Sequence, residues 1–276
     1  MQLPLFRGQY EPQTGKTHWR AIRALYGNVG HCVVNISIFQ SFGIRCHRVP
    51  FVGVLMIGYT AALPNKHCQT VIDRMYPAMR YMLSPACVRS FGPNRYNILY
   101  RGYAIDNGAY SYWVKNEPFN VPAFMALLDA FADRCDWIAI PDAVGDWAQT
   151  QRIMPDWVGR LDKYNKPLLA VAQNGSEVDQ YSDLHALLQT NIAGLFVGGT
   201  TEWKLQHIQG IANVCQQYGK ICHVGRVNSA KRIQFCNDAG ATSIDGSGAS
   251  RFKHTARIVS CALQSINQQH TINWSN

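Results

Sequence analysis

Three carboxylates in this chain each close an apolar run: Asp106 in "AIDNGAY", Asp142 in "AIPDAVGD" and Asp245 in "ATSIDGSGASRF". Gln173 closes "PLLAVAQ" in the same way, and the pair Gly198-Gly199 closes "GLFVGG". Asp and Gly are ordinary turn residues, so one such position alone reads as a surface turn. Their recurrence at the ends of successive apolar runs points instead to a shared site. Two carboxylates can divide nucleophilic and proton-transfer roles at a glycosidic carbon, as double-displacement chemistry requires. An amide and bare backbone beside them suit the hydrogen-bonding edge of a flat heterocycle. A divalent cation is the alternative use of clustered acids, since hard cations take carboxylate oxygens. That alternative leaves the amide and the glycine backbone without a task. The chain carries no GxGxxG after a strand, no Walker-type loop, no GxSxG elbow and no HExxH, which removes the common motif-bearing nucleotide, esterase and metalloprotease classes.

Such residues must be delivered to one place by their elements. From residue 98 onward, short apolar runs alternate with amphipathic stretches. Strands are expected at 98–105, 137–141, 167–173, 193–199, 220–225 and 241–245. Helices are expected over 121–134, 146–163, 177–190, 202–218, 228–238 and 250–265, with Asp146 and the Asn228-Ser229 pair placed as N-caps. Upstream, "FVGVLMIG" (51–58) is a further strand, followed by a helical stretch near 66–83. "HCVVNISIF" (31–39) is either an eighth strand or part of an N-terminal arm. Regular alternation of this kind predicts parallel strands joined by crossover helices. The expected fold is therefore α/β, a (β/α)8 TIM barrel with a basic N-terminal extension, and an open doubly wound sheet is the alternative. In the barrel every strand's C-terminal end reaches one rim, where active sites are built. The expected organisation is a basic arm or insertion over 1–50, a TIM-barrel catalytic domain over 51–265 and a polar tail over 266–276.

With 276 residues, 47% of them hydrophobic, the chain can bury a sizeable core. No apolar run approaches the ~18 residues of a membrane span. The first residues lack the pattern of a signal peptide, so a cytoplasmic location without membrane contact is expected. Nine cysteines stand as singletons without CxxC spacing and read as reduced, mostly buried thiols. Cys215 and Cys222 are expected in the core, His223 in a structural rather than catalytic role, and Trp137 and Trp157 as packing residues. The net charge of +9 is unevenly placed: residues 1–101 hold twelve Lys/Arg against Glu11 and Asp73 alone. Ten of those twelve are Arg, Arg20 and Arg23 among them, with aromatics interleaved. Guanidinium groups fork onto phosphate and stack on bases, so a nucleic acid is the expected partner of this segment.

The blocks "IDNGAY", "IAIPDAV", "LAVAQNG", "GLFVGG" and "SIDGSGASRF", in that order over roughly residues 98–252, resemble the tRNA-guanine transglycosylase family. That family typically shows Asp-Ser-Gly-Gly-Phe-Gln, an Asp ending a middle strand, Val-Gln-Gly, Gly-Gly-Leu-Ala-Val-Gly and a late Phe-Asp-Cys. The resemblance implies a (β/α)8 barrel in which Asp245 attacks C1′ of a nucleotide and displaces guanine. It implies that Asp106 handles protons and contacts the base, while Asp142, Gln173 and the backbone of Gly198 and Gly199 form the base pocket. On the same footing, Gly246, Ser247, Gly248 and Ala249 leave room for a sugar, and Arg226, Arg251 and Lys253 meet flanking phosphates. The family's Cys-x-Cys-x-x-Cys zinc segment has no counterpart, because Cys261 is the sole cysteine among the 31 residues after Asp245. No cofactor is expected, zinc included. "HVGRVNSAKR", "GGTTEWK" and "DGSGASRF" look most like the short phage-encoded branch that exchanges guanine in DNA for a 7-deazaguanine, such as 7-cyano-7-deazaguanine. The implied partners are DNA and the free 7-deazaguanine base, in the host cytoplasm. Exchange on tRNA, a non-catalytic nucleic-acid-binding barrel and a metal-dependent hydrolase stand as alternatives, and the oligomeric state is left open.

Overall fold

In the computed structural model, which describes residues 55–62, 66–75, 77–88 and 102–272, the apolar runs pair into a closed ring. Its strands are β1 (Ile57–Ala61), β2 (Met79–Leu83), β3 (Tyr103–Ile105), β4 (Ile138–Ala139), β5 (Leu168–Ala172), β6 (Gly194–Val197), β7 (Ile221–Val224) and β8 (Ser243–Asp245). Each pairs in parallel with the next, and β8 returns to β1 with Tyr59 opposite Asp245. The chain is a (β/α)8 barrel. Strands such as "LLAVA" are buried on both faces, as strands covered by helices outside and side chains inside must be.

Alternation along the strands separates two apolar layers. Tyr59, Met82, Ala104, Trp137, Ala139, Leu169, Val171 and Phe196 fill the barrel itself. Their neighbours, among them Tyr81, Ile105, Ala170, Leu195 and Cys222, face outward onto the helices. Trp157 packs there against Phe119 and Phe124, so both tryptophans serve packing as expected. The N-terminal mouth of the barrel is closed by an ion pair: Arg80 meets Asp136 at 2.8 Å, and the Tyr59 hydroxyl donates to the same carboxylate at 3.0 Å.

The outer helices are α1 (Lys66–Arg74), α2 (Pro85–Val88), α3 (Ala109–Val114), α4 (Val121–Phe131), α5 (Trp147–Leu161), α6 (Val178–Leu188), α7 (Thr201–Gln217), α8 (Ala230–Asp238), α9 (Gly248–Arg251) and α10 (Lys253–Ile272). Local chemistry sets their starts. Asn120, Asp146, Thr200 and Ser229 each accept a backbone N–H from three residues on, satisfying donors that the first turn leaves open. Ser229 is the cap of α8, whereas Asn228 reaches across to the Gly248 N–H at 2.8 Å.

Three expectations change. The helical stretch near 66–83 is α1 followed by a strand, and this β2 is one of the barrel's eight. Segment 31–39 is therefore not needed to close the ring; like the arm over 1–50 and Arg20 and Arg23, it lies outside the described residues. The helix expected over 250–265 divides into α9 and α10, and α10 runs through residues 266–272 rather than yielding to a tail. Its amphipathic face continues because Ile266 and Asn267 are buried. Asn267 accepts the Met56 N–H at 2.9 Å and donates to the Met56 carbonyl at 3.2 Å, tying the last helix to the entry of β1. Among the described residues no helix is long and apolar enough to cross a membrane.

Asn267→Ala should therefore leave both backbone groups of Met56 unpaired in a buried setting, at a cost of about 1–3 kcal/mol. Urea unfolding should show a lower midpoint with an unchanged slope; an unchanged midpoint would mean that this clasp contributes nothing.

Candidate active site

The expected catalytic and base-pocket residues lie at or just beyond the C-terminal ends of their strands, and the barrel gathers these ends into one rim. Asp106 follows β3, Asp142 lies beyond β4, Gln173 follows β5, Gly198 and Gly199 follow β6, and Asp245 ends β8. Burial is the largest influence on Asp106, followed by the nearby carboxylates of Asp245 and Asp142. Together they lift it from the usual 3.8 to about 7 against the opposing Gly108 and Asn107 N–H groups. Burial also lifts Asp142, to about 6, while amide donors from Asn107 and Gln173 oppose it. These two acids change charge near neutral pH.

Asp142, Gln173 and Asn107 form one hydrogen-bonded row. Asn107 Nδ2 donates to Asp142 Oδ1 at 2.8 Å, and Gln173 Nε2 donates to Asp142 Oδ2 at 2.6 Å. Gln173 Oε1 accepts the N–H groups of Gly199 at 2.8 Å and Gly145 at 3.0 Å. Asn107 is held in turn, donating to the Ile140 carbonyl and accepting the Ala109 N–H. The Gly198 N–H bonds the Ala172 carbonyl at 2.9 Å, and the Gly199 carbonyl accepts the Arg226 guanidinium. Both glycine N–H groups are thus engaged within the protein, and Gln173 Oε1 is filled by the Gly199 and Gly145 N–H groups, so a ligand at this row meets the Asp142 carboxylate before any backbone donor.

Asp245 is held asymmetrically. His223 Nε2 lies 3.2 Å from Oδ1, and the Arg226 N–H donates to the same oxygen at 3.3 Å. Oδ2 accepts no hydrogen bond from the described residues, and the side chain is 19% exposed. One oxygen is anchored and the other is open to the rim. His223 is fully buried within the barrel between Trp137 and Phe196, and its Nδ1 sits 2.9 Å from Ser243 Oγ. Burial holds its pKa below the ordinary value despite Asp245, so the ring is neutral. A neutral ring that donates from Nε2 to a carboxylate must accept at Nδ1, from the Ser243 hydroxyl. His223 is buried in the barrel, and it also touches the candidate nucleophile. Strand alternation carried that signal, because residues 221 and 223 face into the barrel while 222 and 224 face out.

Two of the small residues after Asp245 have a use within the protein. A Cβ on Gly246 would lie 2.4 Å from Asn228 Oδ1 and 2.5 Å from the Val227 carbonyl, and one on Gly248 would lie 2.6 Å from Asn228 Oδ1. Their smallness is consumed by the adjoining β7 loop, which packs onto them. Arg226 sits in that loop at φ 62°, a strained setting for a side-chain-bearing residue. Its guanidinium lies 4.5 Å above the Tyr110 ring, which in turn stacks on Trp113 with centroids 5.9 Å apart. Tyr110 and Trp113 are exposed on α3, an element the sequence pattern did not reveal. A cavity of about 340 Å³ opens beside them, with Trp113, Glu117, Phe119 and Asp142 in its wall. Arg251 and Lys253 are exposed beyond β8, and Arg20 and Arg23 lie outside the described residues. Among the described residues no three His, Cys, Asp or Glu side chains are grouped as a metal site.

No protein-family model matches the chain, and no curated protein does. Solved structures of similar fold include a cube-shaped, highly porous protein cage designed by fusing symmetric oligomeric domains (TM-score 0.46, 13% identity, 80% of this chain and 75% of that one). RipC from Yersinia pestis is another (0.44, 11%, 78% and 96%). A native KDPGal structure is a third (0.46, 14%, 78% and 95%). Likeness at this level carries neither chemistry nor substrate.

The raised Asp106 makes a pH-dependent prediction. Its folded value of about 7 lies above the ordinary 3.8, so its stabilising contribution is complete below that lower value. The contribution is lost as pH rises through 7. Asp106→Asn, permanently neutral, should therefore melt above the parent protein in mildly alkaline buffer and show no gain in acid. Equal melting shifts at both ends would contradict the burial of this carboxyl.

Proposed function

We propose that the protein is a DNA-modifying transglycosylase that exchanges guanine for a 7-deazaguanine through a covalent Asp245–nucleotide intermediate. One arrangement carries this reading: a buried acid, Asp106, which burial and its neighbouring carboxylates lift to about 7, shares a rim with Asp245, whose Oδ2 accepts no hydrogen bond from the described residues. The two neighbours have opposite protonation tasks, as double displacement requires. In the first step Asp245 Oδ2 attacks C1′, the C1′–N9 bond breaks, and Asp106 passes its proton to the departing guanine. In the second step the incoming base gives its N9 proton to Asp106. N9 then attacks C1′ and Asp245 leaves as a carboxylate, so configuration is retained overall. Asp142, held in place by Gln173 and Asn107, offers its remaining carboxylate lone pairs to the N–H groups on a guanine-like edge, and the exposed Trp113 in the same cavity wall offers a ring for stacking. Arg226, Arg251 and Lys253 supply positive charge for the adjoining phosphates. DNA rather than tRNA as the polymer rests on the sequence blocks that look like the short phage-encoded branch.

Incubating guanine-containing DNA with the protein and a 7-deazaguanine, then digesting to nucleosides for mass spectrometry, should reveal the deazaguanine nucleoside and released guanine. Asp245→Asn should lower that exchange by at least ~10³-fold, since an amide is no nucleophile here, while DNA binding persists. Exchange on tRNA but not DNA would assign the polymer to RNA. No exchange on either, with DNA still bound, would leave a binding barrel.

A further inference from the structure

Lys204 on α7 is a buried cation that the chemistry above does not use. It is only 7% exposed, and its Nζ donates to the Gly225 carbonyl. A buried ammonium is costly unless strongly paired, and a single backbone carbonyl is a weak partner for it. Burial and the Arg226 charge push Lys204 down to about 8, with Asp245 opposing. It therefore stays cationic at neutral pH.

The carbonyl it holds belongs to the peptide unit between Gly225 and Arg226. The N–H end of that same unit is the Arg226 donor to Asp245 Oδ1. We infer that Lys204 is a positioning residue for Asp245, acting through the Gly225–Arg226 peptide: its ammonium grips the carbonyl end and turns the amide end onto Oδ1. A cation at a peptide oxygen also polarises the unit and strengthens its N–H as a donor.

Three features keep this peptide in place. Arg226 takes the left-handed backbone conformation, its guanidinium is tied to the Gly199 carbonyl, and the Val227 N–H bonds the Asp245 carbonyl at 2.6 Å. Gly225 itself leaves room for the approach, because a Cβ there would lie 2.7 Å from the Phe196 ring and 3.3 Å from Asp245 Oδ1. The consequence is directional: with Oδ1 fixed by His223 and the Lys204-held peptide, Oδ2 is the oxygen that attacks. This inference rests on the proposed role of Asp245, but the hydrogen bond it describes does not.

Two measurements on Lys204→Met separate the layers. The Arg226 amide should exchange its hydrogen roughly tenfold or more faster by NMR, since its carboxylate bond is no longer enforced. Turnover in base exchange should fall ~10- to 100-fold, the range of a charge-assisted hydrogen bond, with KM for the free base unchanged. Melting should change little, because removing a buried charge offsets the loss of the Gly225 carbonyl's partner. Lys204→Arg, which keeps the cation and has a cavity of about 30 Å³ beside it, should recover most of the turnover. Lys204→Gln carries the same measurements should the methionine form not fold. Unchanged amide exchange would overturn the inference, whatever happens to turnover. A loosened amide in a protein that exchanges no base would keep the peptide grip and dismiss the transglycosylase reading.

Discussion

Pairing of β8 with β1 is the contact on which the site depends. Tyr59 stands opposite Asp245, the Gly246 N–H bonds the Tyr59 carbonyl at 3.1 Å, and Thr60 Oγ1 donates to the Gly246 carbonyl at 3.0 Å. Strands in a sheet lie ~4.8 Å apart. In an open sheet of the same order, β3 and β8 would be separated by five such steps, on the order of 24 Å. Closure instead brings Asp245 near enough for its charge to act on Asp106. The same closure directs every strand end to one rim, so the chemistry is a property of the ring rather than of any loop.

Concentrating carboxylates on a partly buried rim works against folding, and the surrounding groups divide that load unequally. Asp142 has two amide donors and is lifted less than Asp106, which stands between two other acids. Asp245 has a neutral imidazole, a backbone N–H and a nearby ammonium. A fully bonded polar row behaves as a rigid unit in a low-dielectric setting. The row through Asn107, Asp142 and Gln173 is of that kind, so a flat ligand would meet groups already in position. Tyr110 and Trp113 stand exposed at the edge of that row.

The barrel was legible from residue 98 onward because apolar strand runs and capped helices alternate there without interruption. β2 was hidden by Arg80, which breaks "MRYML" with a charge typical of helix surfaces. That side chain points into the barrel mouth, where Asp136, distant in sequence, neutralises it. The rim acids were legible since each follows an apolar run. Their mutual arrangement was not: nothing local says that Asn107 would bridge to Asp142, that His223 would face Asp245, or that Lys204 would be buried under Gly225. Those relations arise between strands whose register only the closed ring sets. Gly246 and Gly248 carry a reason that no local pattern shows: a Cβ at either would meet the protein's own Asn228.

The central claim is that Asp245 becomes covalently joined to a nucleotide. Acid-quenching the protein with guanine-containing DNA in the absence of an incoming base, then digesting with nuclease and trypsin, tests it directly by mass spectrometry. A nucleotide adduct on the peptide spanning residues 233–251, fragmenting to Asp245, is the predicted result. An adduct on the peptide containing Asp106, or base exchange that proceeds with no adduct and inverts configuration at C1′, would contradict it.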